Sequence, residues 1–175
     1  MSRIKTYTGI MIDPRNASVD EICIKDIAHA LSMLCRANGH FPHFYSVGQH
    51  SINCAKEAEA RGYSRRVQLG CLLHDASEAY LSDITRPVKP YLVGYLDIEA
   101  SLQKVIFDKW IPALSDEEKK QVFEIDDTIL YYEFVELMHE KLTPEEPMLK
   151  SEPIFDFVDF GKVEGEFLEM FEELK

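Results

Sequence analysis

The sequence predicts an all-α helical bundle preceded by a short extended N-terminal arm, on three observations. From Ile24 onward apolar residues recur three and four positions apart through most of the chain, the period of a helix with one buried face. Serines stand at the starts of these runs and glycines at their ends, where caps and stops belong. Strand-like alternation is confined to the beginning, at Ile10 and Ile12. With 175 residues and 46% hydrophobic content, the chain is long enough for one full core and too short to argue for two, so residues 1–175 are expected to form a single domain.

Taken in order, the first twenty or so residues carry Gly9, Pro14 and Asn16 and read as an extended arm or short hairpin. Ile27, Leu31, Leu34 and Cys35 place the first helix over Ile24 to about Arg36, stopped by Asn38-Gly39. After a loop holding His40, Pro42 and His43, Ser46 opens a second helix that runs to about Ala60 and ends at Gly62. Ser64 caps a third, apolar almost all round through Val67, Leu69, Cys71, Leu72 and Leu73, and such a helix belongs inside a fold. It leads straight into His74-Asp75, two polar side chains that need partners once buried.

Pro87 and Pro90 break Ile84–Pro90 into loop. Helical periodicity returns from Tyr91 to about Trp110, and Ser115 with Glu118 forms a capping box for a helix reaching about Lys141. Pro144, Pro147 and Pro153 mark an irregular connection to a last amphipathic helix, whose Phe157, Phe160, Val163, Phe167, Phe171 and Leu174 are expected to pack on the bundle or on another subunit.

Nineteen Lys and Arg against 31 Asp and Glu leave a net charge of -12, which repels an extended polyanion and argues against a nucleic-acid polymer as partner. A small phosphorylated molecule remains compatible, because a metal and a few local cations make a positive pocket on an acidic protein. The first residues lack the apolar core of a signal peptide, and no apolar run approaches the ~20 residues that span a bilayer. A cytoplasmic protein without membrane attachment is expected. Cys23, Cys35, Cys54 and Cys71 lack the close pairing of a zinc ribbon or redox motif and read as reduced, small buried side chains.

A divalent metal that binds a phosphate and activates water calls for nitrogen and carboxylate ligands with coordination positions left open. His50, His74, Asp75 and an aspartate from a later helix satisfy that demand. Neighbours on a regular helix point about 100° apart, so His74 and Asp75 can face one ion only where the helix ends or distorts. Ser77, Ser82, Pro87 and Pro90 downstream are consistent with such an ending. The plainer alternative for each residue is capping or surface chemistry, and for Arg36 a place at a helix C-terminus.

The segment Leu72-Leu73-His74-Asp75-Ala76-Ser77-Glu78-Ala79-Tyr80-Leu81-Ser82-Asp83-Ile84 resembles the signature of the HD-domain metal-dependent phosphohydrolases, in particular the short branch of bacterial 5'-deoxynucleotidases and phage and bacterial HD hydrolases. The resemblance extends through Tyr7-Thr8-Gly9, Asp26 to Leu31, Cys35 to His40 and Phe44 to Ser51, with a fainter echo over Glu124 to Glu133. It implies an HD-domain bundle with one divalent ion (Mn, Co, Mg, Fe, Ni or Zn) at His50, His74, Asp75 and the late aspartate. Glu78 and Asp83 would be catalytic, and Arg36 and Lys89 would bind phosphate; His43, apart from the resemblance, lies close enough in sequence to the site to reach a substrate. Periodicity does not choose between Asp126 and Asp127, whereas the branch's Asp with a Glu seven residues on, here Glu133, favours Asp126.

Where the deoxynucleotidases carry an aromatic residue beside the phosphate-binding arginine, this chain has Ala37. The resemblance implies a homodimer and a nucleotide substrate, first a deoxyribonucleoside 5'-monophosphate. A nucleoside triphosphate phosphohydrolase and a non-catalytic, metal-stabilised nucleotide-binding protein are the alternatives.

Overall fold

A computed structural model describes residues 3–175; the domain reading above also takes in Met1 and Ser2, which lie outside the described residues. The arm is a hairpin in which β1 (Ile4–Lys5) pairs antiparallel with β2 (Met11–Ile12), turned at left-handed Gly9. The rest is helical: α1 (Ile24–Met33), α2 (Val47–Ala60), α3 (Arg65–Leu73), α4 (Glu78–Leu81), α5 (Tyr95–Trp110), α6 (Asp116–Met138) and α7 (Phe160–Leu174). The architecture is an all-α bundle. Among the described residues no helix is long and apolar enough to cross a membrane.

α3 occupies the middle, with Val67, Leu69, Gly70, Cys71, Leu72 and Leu73 all buried, as its all-round apolar sequence demands. It packs against α2, α5, α6 and α7. One contiguous core runs from Ile12 in the arm to Phe171 in the last helix. The apolar face of α7, with Val163, Phe167 and Phe171 buried, packs on α1, α2 and α3 within the chain, so it does not stand free for another subunit. Phe157 and Phe160, by contrast, are exposed. Cys54 and Cys71 are buried, but Cys23 and Cys35 are only half-buried.

Helix ends differ from the sequence expectation where local chemistry overrides periodicity. α1 stops at Met33 because Leu34 turns extended and Cys35 bridges antiparallel to Ser46, with the Arg36 amide donating to the Tyr45 carbonyl at 2.9 Å. Arg36 is therefore carried on a bridge into the interior rather than at a helix C-terminus. α5 begins at Tyr95, after a single 3-10 turn at Lys89–Tyr91 and left-handed Gly94. α6 ends at Met138 with His139 in the left-handed region, and α7 starts at Phe160, capped by Asp159.

The Pro-rich connection is an ordered strap on α2. Gln49, Asn53, Glu57 and Arg61, each one turn from the next, bond the backbone of 148–156: Gln49 donates to the Ile154 and Asp156 carbonyls and Asn53 to Ile154, while Glu57 accepts from the Lys150 and Ser151 amides and Arg61 donates to Met148. A helix stripe at i, i+4, i+8 and i+12 thus supplies the partners that an extended strand would need.

Candidate active site

The site forms where α2, the end of α3 and the middle of α6 meet. Ser46 caps α2 by accepting from the Gln49 amide, which fixes the first turn and aims His50 inward, fully buried. α3 ends at Leu73, His74 is its C-cap, and the chain passes through a turn before α4. Gln103 of α5 spans this interruption, donating to the Leu73 carbonyl at 2.7 Å and accepting from the Ser77 amide at 3.0 Å. The break lets His74 and Asp75 face one point, which a continuous helix forbids.

Four donor atoms converge there. His50 Nε2 lies 3.2 Å from His74 Nε2, and Asp126 Oδ1 lies 3.2 Å from His50 Nε2 and 3.6 Å from His74 Nε2. Asp75 Oδ2 completes the group at 3.2 Å from His74 Nε2 and 3.8 Å from His50 Nε2. Donors about 2.1 Å from a common cation stand about 3.0 Å apart at right angles and about 3.4 Å apart in a tetrahedron, close to the 3.2–3.6 Å spacings here, with Asp75 Oδ2 set wider from His50.

The far side of each ring fixes its tautomer. His74 Nδ1 is 2.7 Å from the Cys71 carbonyl, which can only accept, and His50 Nδ1 is 2.6 Å from the fully buried Glu133 carboxylate. Both Nδ1 atoms therefore donate, which leaves the two Nε2 lone pairs facing each other. Such a contact is repulsive without a proton or a cation between them. Burial and Arg36 work against a charged His50, yet Glu133 and Asp126 prevail and raise its pKa. His74 is raised too, Asp75 and Asp126 outweighing burial. Burial likewise opposes charge on both aspartates, but the imidazoles hold Asp75 and Asp126 below the usual carboxylate range.

Cys54, one turn beyond His50, forms with His50 and His74 a group whose ligand atoms lie within 4.8 Å of one another and could hold a metal. Its sulfur is 3.5 Å from Nε2 and 4.0 Å from Nδ1 of the same His50 ring, a position over the imidazole rather than along the Nε2 lone pair. Burial, with Asp126 nearby, also pushes the thiol well up. The carboxylates are the better placed and more readily ionised partners.

A cavity of about 220 Å³ opens on this cluster, lined on its polar side by the acids Asp75, Glu78, Asp83, Asp126 and Glu133 and the cations Arg36, Arg86 and Lys89, and elsewhere by Phe41, Ile84, Leu130, Phe134 and Leu142. Glu78 is buried with Oε2 lacking a hydrogen-bond partner, and burial, with Asp75 and Asp83 nearby, pushes its pKa up to about 9. Burial raises Asp83 as well. Lys89 Nζ is 2.7 Å from Glu99 and 3.5 Å from Glu78. Arg36 reaches Asp75 Oδ2 at 3.2 Å and Glu133 Oε2 at 3.1 Å, so it braces the acids as well as facing the cavity.

The structure thus brings together His50, His74, Asp75, Asp126, Glu78, Asp83, Arg36 and Lys89. His43 is not with them: it is half-buried, outside the cavity lining, and its Nε2 donates to the Phe155 carbonyl of the strap at 2.8 Å. Asp126 reaches the imidazoles, while Asp127 points outward to Arg86 Nη1 at 2.6 Å. Sequence reasoning assigned no role to Glu133, Gln103 or Arg86. Glu133 was within reach, two helical turns from Asp126 on the same face; Gln103 and Arg86 act across elements and left no periodic signal.

No family model matches the chain. It is 39% identical over 110 residues to the uncharacterized protein YfdR of Escherichia coli (strain K12), a match covering 63% of this chain and 59% of that protein, so the chain spans less than two thirds of that relative. It is 32% identical over 132 residues to an uncharacterized protein of Rhodobacter capsulatus, RCAP_rcc00048, covering 71% of this chain and 67% of that one. On that identity and coverage, the chain belongs to the family of the Rhodobacter capsulatus protein.

Proposed function

We propose that the protein is a metal-dependent phosphohydrolase of the HD type acting on nucleotides, with deoxyribonucleoside 5'-monophosphates as the substrate class. The observation that carries this reading is the pair of Nε2 atoms 3.2 Å apart with Asp75 and Asp126 beside them, a donor set suited to a divalent ion that keeps open positions. His50, His74, Asp75 and Asp126 are the proposed ligands. A divalent ion held there would polarise a phosphoryl oxygen and make water a better nucleophile.

The chain's own groups supply the rest. Glu133 and the Cys71 carbonyl orient the two imidazoles through their Nδ1 protons. Glu78 sits in the cavity as a proton reservoir, its orphaned Oε2 free to exchange a proton with the reacting water or the leaving oxygen. Arg36 and Lys89 offer positive charge to phosphoryl oxygens, and Phe41, Leu130 and Phe134 give the sugar and base an apolar wall. The monophosphate is favoured over a triphosphate because the neighbouring cleft, of about 860 Å³, sets Glu124, Asp127, Glu145 and Glu146 against only Arg61 and Arg86, both already paired with carboxylates, and this net acidic surface disfavours further phosphates.

The test is release of phosphate, pyrophosphate or triphosphate from a panel of nucleotides with Mn, Co, Mg and Fe supplied in turn. Phosphate release from deoxyribonucleoside monophosphates is expected, with kcat lowered by about 10²–10⁴ in Glu78→Gln. Absence of turnover with every metal and nucleotide would refute the proposal.

A further inference from the structure

Arg86 binds two consecutive carboxylates of α6 from the loop that walls the cavity: Nη2 donates to Asp126 Oδ2 at 2.5 Å and Nη1 to Asp127 Oδ1 at 2.6 Å. The Asp126 carboxylate is divided as a result. Oδ1 lies 3.2 Å from His50 Nε2 and 3.6 Å from His74 Nε2, whereas Oδ2 is taken by the guanidinium. A free carboxylate beside a cation can give one oxygen or both, and chelation by both fills a coordination position that a substrate oxygen requires.

Arg36 cannot perform the same service for Asp75, because it approaches through Oδ2, the oxygen that faces the imidazoles. Loop anchoring does not by itself dictate which atom is held: the guanidinium, 53% exposed, grips Asp126, only 16% exposed, by the oxygen turned away from the imidazoles. The loop has a separate tie in Lys89, bound to Glu99 at 2.7 Å.

We infer that Arg86 is a positioning residue that restricts Asp126 to one inward oxygen and so keeps a metal coordination position open toward the cavity. The inference rests on the metal-centre reading above. Releasing the outer oxygen and removing a positive charge beside the ion both act in the same direction, toward tighter metal binding in a more closed coordination shell.

The experiment is titration of the metal-free protein with Co²⁺, followed by its visible absorption band, in wild type, Arg86→Ala, Arg86→Lys and Asp127→Asn. Arg86→Ala is expected to bind Co²⁺ about tenfold more tightly, with a changed band that reports the altered coordination. Arg86→Lys, which keeps a charge for Asp126, is expected to restore the wild-type band, and Asp127→Asn to retain it. Thermal melting checks that each variant is folded. An Arg86→Ala protein with the wild-type band, whether its affinity is unchanged or weaker, overturns the role given to Arg86 and leaves the metal centre standing. Failure of the wild type itself to take up one equivalent of Co²⁺ overturns the metal centre and this inference with it.

Discussion

Glu78 is 4% exposed and lacks a partner for Oε2, so burial sets its proton. With a pKa near 9 against an ordinary 4.5, it stays protonated in the folded metal-free chain while ionising in the unfolded one. Its contribution to stability is complete below pH 4.5 and is lost as pH rises toward 9. Glu78→Gln removes that loss, so metal-free Glu78→Gln is expected to melt about 2–4 °C above wild type at pH 8 for each kcal/mol involved, the gap closing below pH 4.5. A pH-independent gap would contradict this account. Glu133 behaves oppositely, since burial is outweighed by Arg36 and His50, which hold it below its ordinary value. Replacing it with Ala leaves Arg36 with Asp75 alone and frees His50 Nδ1, and urea unfolding should show a loss of about 3–5 kcal/mol. A loss under 1 kcal/mol would mean that the buried ion pair is dispensable.

Two helix-level features carry stakes of their own. The stripe on α2 holds the strap, and Glu57 is its hinge point, accepting from Arg61 at 2.7 Å and from Ser151 at 2.7 Å. Burial raises Glu57, but Arg61 and the strap amides lower it further, so its stabilising effect is present above pH 4.5 and fades as pH falls through the folded value. Hydrogen exchange, corrected for intrinsic pH dependence, should show 149–154 loosening in acid before α3 does. Exchange that rises equally in both would separate the strap from Glu57. At Gly70, α3 and α6 approach so closely that an added Cβ would sit 2.9 Å from Val122 Cγ2. Gly70→Ala is therefore expected to destabilise by about 1–3 kcal/mol despite alanine's better helix propensity. A more stable variant would show that the two helices part without cost.

For the molecule as a whole, the proposed metal centre predicts a link between ion and stability, because a site assembled from three separate helices exists only in the folded chain. Mn²⁺ at about 100 times its dissociation constant should add about 2.7 kcal/mol, a rise of about 5–10 °C in Tm, reversed by chelation. His74→Ala should abolish the rise, and a rise that survives the substitution would place the ion elsewhere. The net charge of -12 reaches the pocket as well: the cavity sets Asp75, Glu78, Asp83, Asp126 and Glu133 against Arg36, Arg86 and Lys89, so holding a phosphate there depends on those local cations and on the proposed ion.

The sequence by itself determined the helices, because an apolar period of three to four and serine caps at Ser46, Ser64 and Ser115 are local properties that packing did not override. It also brought forward His50, His74 and Asp75 by the ligand chemistry of their residue types, and Glu78 through the resemblance of the segment around His74-Asp75. Periodicity could not choose Asp126 over Asp127, because the adjacent positions lie on two apolar stripes of α6; the resemblance favoured Asp126, and the packing of α6 sets its Oδ1 beside the imidazoles. Tertiary packing likewise turned Arg36 inward on the Cys35–Ser46 bridge, drew His43 to the strap and set Arg86 over Asp126. Those placements arise from contacts between residues distant in sequence, whose pairing no periodicity along one element encodes.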